Sequence, residues 1–308
     1  MNLSYLKYAV EVEKTGSITK AAQNFYMNQP HLSKIIRELE RDLGSPIFDR
    51  TGRGMVPTQK GEEFLRYAKA ILVQEEQLLS LCSANTQDML QLRLCGPRAT
   101  YISCAFNQFL CSGEHGSPMN VHYMETNSKD VIRLVSSREF DLGIVRFQVL
   151  YEPYYRKMLQ AENLESKLLW EFPTCVLMSP DHPLAQKKHL TYLDFSDSIE
   201  IVQGDSQSPA LSVQPQDPYP TGQRSHRSVA IYDRGSQFEL LRQLPGSYMW
   251  TSPIPYHSLV SEKLIQRPCS YPGNLHRDLL ITRSGYLCSK AETGLIQNLN
   301  RIISQLSD

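Results

Sequence analysis

Apolar residues recur at helical spacing from the start of the chain: Leu3, Leu6 and Val10, with Tyr5 and Tyr8 among them, up to Thr15-Gly16. Ser17 then caps a short second helix ending near Phe25, whose Ala21-Ala22 pair lets another helix approach closely. After Tyr26-Met27, Asn28 caps a third helix with Pro30 in its first turn, where a missing N–H does no harm. Leu32, Ile35 or Ile36, Leu39 and Leu43 form its buried stripe, Gly44 stops it, and Gln29, Ser33, Lys34 and Arg37 take the opposite face. Two short extended arms, Pro46–Arg50 and Met55–Pro57, flank the turn Thr51-Gly52-Arg53-Gly54, the pattern of a β-wing. Thr58 caps a long helix predicted to reach about Thr86, with Glu62 and Glu63 complementing its dipole. Phe64, Ile71 and Leu78 repeat at seven residues, as do Leu65, Leu72 and Leu79, and such heptads predict a coiled-coil seam with a second copy.

From Leu90 the pattern changes to short strands alternating with helices. Strands are predicted at Leu90–Cys95, Val121–Met124, Leu142–Val145, Cys175–Ser179, Ile199–Val202, Tyr248–Thr251 and Leu279–Thr282, and helices at 101–111, 128–138, 235–244 and 291–306. Alternation of this kind predicts α/β units on a largely parallel sheet. The Pro/Gln/Ser-rich stretch from Gln207 to Gln223 reads as a loop.

Composition narrows the class. The 308 residues exceed one ordinary core, and no apolar run approaches the roughly 20 residues of a membrane helix. Lys7, Glu11, Glu13 and Lys14 punctuate the N-terminus, so it does not read as a signal peptide, and a cytoplasmic protein is expected. Net charge is zero, and residues 1–66 carry ten Lys/Arg against eight Asp/Glu, so charge alone does not point to nucleic acid. The seven cysteines never fall as C-x-x-C, and the eight histidines show no metal-ligand spacing. Cys104 and Cys111 sit seven apart on one predicted helix, about 10 Å of rise, too far for a disulfide unless that helix breaks. No G-x-S-x-G, H-E-x-x-H, Walker loop or Rossmann glycine run is present, so neither an enzyme nor a metal or organic cofactor is expected.

The first 66 residues resemble the DNA-binding domain of LysR-type transcriptional regulators. The matching residues are Thr15-Gly16-Ser17, Ala21-Ala22, Asn28-Gln29-Pro30, Leu32-Ser33, Ile36-Arg37, Leu39-Glu40, Leu43-Gly44, Phe48-Asp49-Arg50 and Gly61-Glu62, with Leu6-Lys7-Tyr8 before them. Asp141-Leu142-Gly143-Ile144 and Ser179-Pro180-Asp181-His182-Pro183-Leu184-Ala185 resemble segments of the family's effector domain. The resemblance implies a winged helix-turn-helix DNA-binding domain at 1–57 and a long linker and dimerisation helix at 58–89. It also implies a periplasmic-binding-protein-like, two-lobed α/β effector domain at 90–308, with one lobe from 90–166 and 266–308 and the other from 167–265. The implied partners are operator DNA, a small organic effector, a second copy in a dimer or tetramer, and RNA polymerase. His31 stands where the family usually carries a small or apolar residue.

Within that frame, Gln29 at the start of the third helix has the amide geometry to read adenine in the major groove. Ser17, Thr19, Asn28, Pro30, His31, Ser33, Lys34 and Arg37 surround it as candidate DNA contacts, cations and hydroxyls suiting phosphates. Arg50 and Arg53 on the wing suit a narrow minor groove. In the second domain the strand ends and helix starts gather Arg98, Thr100, Tyr101, Asn127, Ser128, Arg146 and Gln203, with Trp250 as a stacking wall. Thr100 and Arg146 are expected to hold a small organic anion. The alternatives are a solute-binding protein without a DNA target, against which the helix-turn-helix argues, and a redox-sensing regulator, against which the cysteine spacing argues.

Overall fold

The computed structural model describes residues 2–52, 54–82, 90–112, 118–205, 227–270 and 273–307. They form two compact units, Met1–Asp88 with Ser137–Glu139, and Met89–Ser136 with Phe140–Asp308.

The N-terminal unit runs α1 (Leu3–Thr15), α2 (Ile18–Asn24), α3 (Gln29–Leu43), an antiparallel hairpin β1 (Phe48–Thr51) and β2 (Gly54–Pro57), and α4 (Gln59–Cys82). Local signals set the boundaries as the sequence predicts. Gly16 and Gly44 end α1 and α3 in the left-handed region, and Asn28 Oδ1 accepts the His31 N–H at 2.9 Å to start α3. Ala9, Val12, Ala21, Leu32, Ile36 and Leu39 close a core under the three helices. Two carboxylate bonds fix the wing to α3: Glu40 Oε1 accepts the N–H of Ile47 at 2.9 Å and of Phe48 at 3.3 Å. Thr58 Oγ1 accepts the Gly61 N–H at 2.9 Å and donates to the Pro46 carbonyl at 2.8 Å. Gly61 itself lies so close that a Cβ there would stand 1.9 Å from the Ile47 carbonyl oxygen.

α4 lies along α1, tied by Lys7–Glu75 at 3.0 Å and Lys69–Glu13 at 2.9 Å. This packing separates the two heptad rows. Leu65 is 1 % exposed and completes the unit's own core, so its expected place in a seam between copies is corrected. A helix packed on its own domain turns one row inward, and the row 100° away faces out. Ile71 is 38 % exposed and Leu78 62 %, with Tyr67 exposed beside them. Phe64 and Leu72 are half-buried, Phe64 against the core, and the Leu79 side chain lies outside the described residues.

The C-terminal unit holds two sheets. The first contains β3 (Leu90–Gly96), β4 (Met119–Glu125), β5 (Leu142–Gln148), β6 (Leu164–Pro173) and β13 (Leu275–Arg283), in the order β4-β3-β5-β13-β6. Helices α5 (Thr100–Cys111) and α10 (Lys290–Ser307) cover one face, and α6 (Ser128–Ser136) and α7 (Glu152–Ala161) the other. Period-two burial shows why: Leu94 and Ile144 enter one core, Cys95 and Val145 the other. The second sheet has the order β10-β9-β11-β7-β12-β8, from β7 (Cys175–Met178), β8 (Leu190–Thr191), β9 (Ile199–Gln203), β10 (Ser228–Ile231), β11 (Ser247–Thr251) and β12 (Ile265–Ser270). Helix α8 (Arg234–Gln243) packs on it through Phe238 and Leu241, and α9 (Tyr256–Glu262) follows β11.

Two expectations are corrected. The sheets are mixed: β5–β13 and β13–β6 pair antiparallel, as do β7–β11 and β7–β12. The cause is the double passage between lobes, since β13 returns from the second lobe and inserts between strands of the first. The passages also lie later than predicted, after Pro173 instead of Ser166 and after Ser270 instead of Ile265, because β6 and β12 extend past those points. The two crossing segments touch, the Thr174 N–H donating to the Asn274 carbonyl at 3.0 Å. The loop predicted at Gln207–Gln223 lies outside the described residues. Among the described residues no helix is long and apolar enough to cross a membrane.

Candidate functional site

The first candidate surface is the open face of α3. Gln29, Pro30, His31, Lys34 and Arg37 are all exposed, and so is Arg50 on β1. The face forms because the helix spends Leu32, Ile35, Ile36 and Leu39 on the core and leaves the other side free. The structure withholds some expected residues. Ser33 is buried at the edge of the apolar stripe, which removes its hydroxyl from that face and corrects its place among the DNA contacts. Ser17 Oγ accepts the Lys20 N–H at 3.3 Å as the cap of α2, Asn28 caps α3, and Thr19 is exposed. Arg53 lies outside the described residues.

The second candidate is the cleft between the two lobes of the C-terminal unit. Arg98, Thr100 and Arg146 line it from the first lobe, and Gln203 and Trp250 from the second. In this structure the cleft is nearly shut, with a free volume of about 30 Å³, room for a water or two. Trp250 packs edge-on against Tyr248 and Phe195, which holds its ring as a wall.

Three predicted cleft residues turn away from it. Tyr101 is fully buried, and its hydroxyl donates to Asp278 Oδ2 at 2.5 Å. Burial, reinforced by that carboxylate, pushes the phenol well above its ordinary pKa and keeps the proton in place. Asn127 accepts the Asp130 N–H at 3.0 Å and donates to the Asp130 carboxylate at 2.7 Å, working as the cap of α6. Ser128 Oγ donates to the Arg146 carbonyl at 2.7 Å and accepts the Arg146 N–H at 3.1 Å, tying α6 to β5.

Arg146 lines the cleft but is already committed. Its Nε and Nη2 donate to the two oxygens of Asp278, and its guanidinium lies 4.9 Å from the Phe172 ring centroid. Burial opposes its charge, Asp278 more than offsets that, and the group is held above its ordinary pKa. The expectation that Arg146 is free to take a ligand anion is therefore corrected.

Sequence reasoning missed Arg234, which lines the cleft beside Arg98 and Arg146. It opens α8 directly after its cap Asp233, whose carboxylate accepts the Ser236 N–H at 2.8 Å. The strand-to-helix turn that flagged Arg98 and Thr100 is repeated at 231–236, and that repetition was the available signal. Arg234 crosses to the first lobe, pairing with Glu125 at 2.5 Å and donating to Ser103 Oγ at 2.8 Å. Arg98 crosses the other way, pairing with Asp205 at 2.6 Å and donating to the Tyr232 carbonyl at 2.7 Å.

Cys104 and Cys111 stay apart as free thiols on an unbroken α5, Cys104 beside Ser258 Oγ at 3.2 Å. Among the described residues no cluster of His, Cys, Asp and Glu gathers to hold a metal ion.

A winged helix-turn-helix here precedes a two-lobed α/β unit, and the family matches assign the function of that arrangement. Residues 3–62 match the family described as bacterial regulatory helix-turn-helix protein, lysR family, and residues 118–209 match the LysR substrate binding domain. The chain belongs to the LysR family of transcriptional regulators, with a DNA-binding and an effector-binding domain. It is similar to the Hca operon transcriptional activator HcaR of Escherichia coli, 30% identical over 208 residues, 67% of this chain and 66% of that protein. It is also similar to the regulator BudR of Raoultella terrigena, 26% identical over 213 residues, 68% of this chain and 70% of that protein. Among solved structures, CbnR complexed with its target DNA superposes with a TM-score of 0.63 at 15% identity, covering 98% of this chain and 100% of that one. A full-length OxyR variant from Pseudomonas aeruginosa gives 0.60 at 20% identity, covering 97% and 98%. These likenesses show the shared fold.

Proposed function

We propose that this regulator reads its operator with the exposed face of α3, as a dimer held through α4, under control of a small effector in the interlobe cleft. The observation that carries the reading is a helix capped by Asn28 that presents Gln29, Lys34 and Arg37 to solvent beside a hairpin carrying Arg50. A side-chain amide at the entering end of a recognition helix pairs with adenine, while the cations and the wing suit phosphates and a narrow minor groove. The exposed Tyr67, Ile71 and Leu78 give α4 an apolar row for a second copy, and a two-fold dimer calls for half-sites related by the same symmetry.

The effector acts by binding one separation of the lobes better than another, since a ligand with equal affinity for both shifts nothing. Regulation of this kind acts at the promoter, with RNA polymerase as the further partner and the cytoplasm as the compartment. A gel shift with genomic fragments at moderate salt tests the reading. A specific complex weakened by Gln29→Ala supports it; the absence of any sequence-selective complex overturns it in favour of a solute-binding role.

A further inference from the structure

We propose that Arg98 and Arg234 are the anion receptors of the cleft. Asp205 and Glu125 occupy them as built-in competitors until a small organic dianion displaces both. The inference rests on the reading of the cleft as the effector site and names the chemistry that site takes.

Among the described residues the cleft and its immediate surround hold three guanidinium groups, and each has a carboxylate: Arg146 has Asp278, Arg98 has Asp205, and Arg234 has Glu125. The three pairs differ in where they sit. Asp278 is 0 % exposed, lies in the same lobe as Arg146, and also takes the Tyr101 hydroxyl, so parting that pair strands a charge in the interior. The other two pairs cross from lobe to lobe, in opposite directions, and their carboxylates reach solvent, Asp205 25 % and Glu125 19 % exposed. Water can take over either carboxylate, and Glu125 also keeps the Tyr123 hydroxyl, which donates to it at 2.8 Å. Exchange is therefore cheap at Arg98 and Arg234 and costly at Arg146.

Because both pairs span the lobes, they hold shut the cleft that their arginines line. A ligand with one acidic group loosens one side only. A ligand with two acidic groups replaces both internal carboxylates, keeps both arginines satisfied, and enters as the lobes part. The closed, self-paired state lowers the apparent affinity by the fraction of time the receptors are free, and removing the competitors removes that penalty.

Succinate and glutarate, which span two separations, serve as probes in calorimetric titration of the full chain, with sodium chloride at matched ionic strength as the control. The isosteric pair Asp205→Asn with Glu125→Gln is expected to bind at least one of them about tenfold or more tighter than the natural chain. Arg98→Gln with Arg234→Gln is expected to bind neither. Equal affinity in the natural and carboxamide proteins, absence of binding in the carboxamide protein, or binding retained without the two arginines overturns the proposal. Single Asp205→Asn and Glu125→Gln proteins, each checked by circular dichroism, replace the double variant if it misfolds. Gel shift of the same preparations separates this inference from the wider reading. Operator binding with a failed succinate and glutarate pattern sinks only the receptor assignment, and loss of operator recognition in the natural chain sinks the regulator reading.

Discussion

Arg146 and Asp278 form a two-pronged ion pair, Nε to Oδ1 at 2.8 Å and Nη2 to Oδ2 at 2.7 Å, across adjacent antiparallel strands that place the two residues directly opposite. With Asp278 fully buried and Tyr101 bound to the same carboxylate, the pair belongs to the framework of the first lobe.

Arg146→Met therefore loses stability first. Removing one partner of a buried pair typically costs about 3–5 kcal/mol, because the remaining charge has no water to turn to. The melting transition of the C-terminal unit should fall sharply, and Asp278→Asn added to Arg146→Met should restore part of the loss. An unchanged melting temperature combined with a lost effector response would instead make Arg146 a ligand receptor.

His276 lies next to this pair, stacked on Phe172, with its Nδ1 3.1 Å from the Asn274 carbonyl. Burial pushes its imidazole down to about 4. The unfolded chain then takes up the proton first, at the ordinary pKa near 6.5. The folded state keeps its full stability above that value and loses it as pH falls from about 6.5 towards 4. The loss reaches at most about 3 kcal/mol at roughly 1.36 kcal/mol per pKa unit. Urea unfolding at a series of pH values should show this acid slope, and His276→Gln should flatten it. A slope unchanged by the substitution would place its origin elsewhere.

The sequence made the N-terminal unit legible because its signals are local. Asn28, Gly16, Gly44 and Thr58 each act within a few residues of their own position, and each does in the structure what its type and place predict. The heptad rows on α4 were legible as rows, but which one faces inward depends on where α1 lies. The cleft was half legible. Strand ends announced Arg98, Thr100 and Gln203, whereas the partner of Arg146 sits 132 residues away and that of Arg98 107 residues away. A pairing at that distance follows from the order β5-β13 in the sheet and from the closing of one lobe on the other, and neither leaves a periodic trace in the chain.

The outward row on α4 predicts how the proposed dimer fails. Ile71→Asp with Leu78→Asp puts charge on an exposed apolar row, which the single subunit tolerates and an apolar seam does not. Sedimentation should shift to the monomer with helical content and melting temperature retained. Leu65→Ala, by contrast, should cost about 2–5 kcal/mol of stability in the N-terminal unit, because it empties a place in that unit's own core. A dimer that survives both aspartates would move the interface away from this face of α4.

Gln29 and Lys34 share the exposed face of α3, yet their chemistry assigns them different work. An amide offers one donor and one acceptor at a fixed spacing, which matches the N6/N7 edge of adenine and no other base. An ammonium is a point charge that meets any phosphate equally. Gln29→Ala should cost about 1–3 kcal/mol on the operator and leave binding to unrelated DNA nearly unchanged. Lys34→Ala should weaken both alike and lower the slope of log affinity against log salt by about one. Fluorescence anisotropy on operator and scrambled duplexes, at several salt concentrations, reads both quantities from the same titrations. If the two variants lose affinity in parallel on both duplexes, Gln29 is a phosphate contact, and the base-reading residue lies elsewhere on the same face, with the exposed His31 the next to replace.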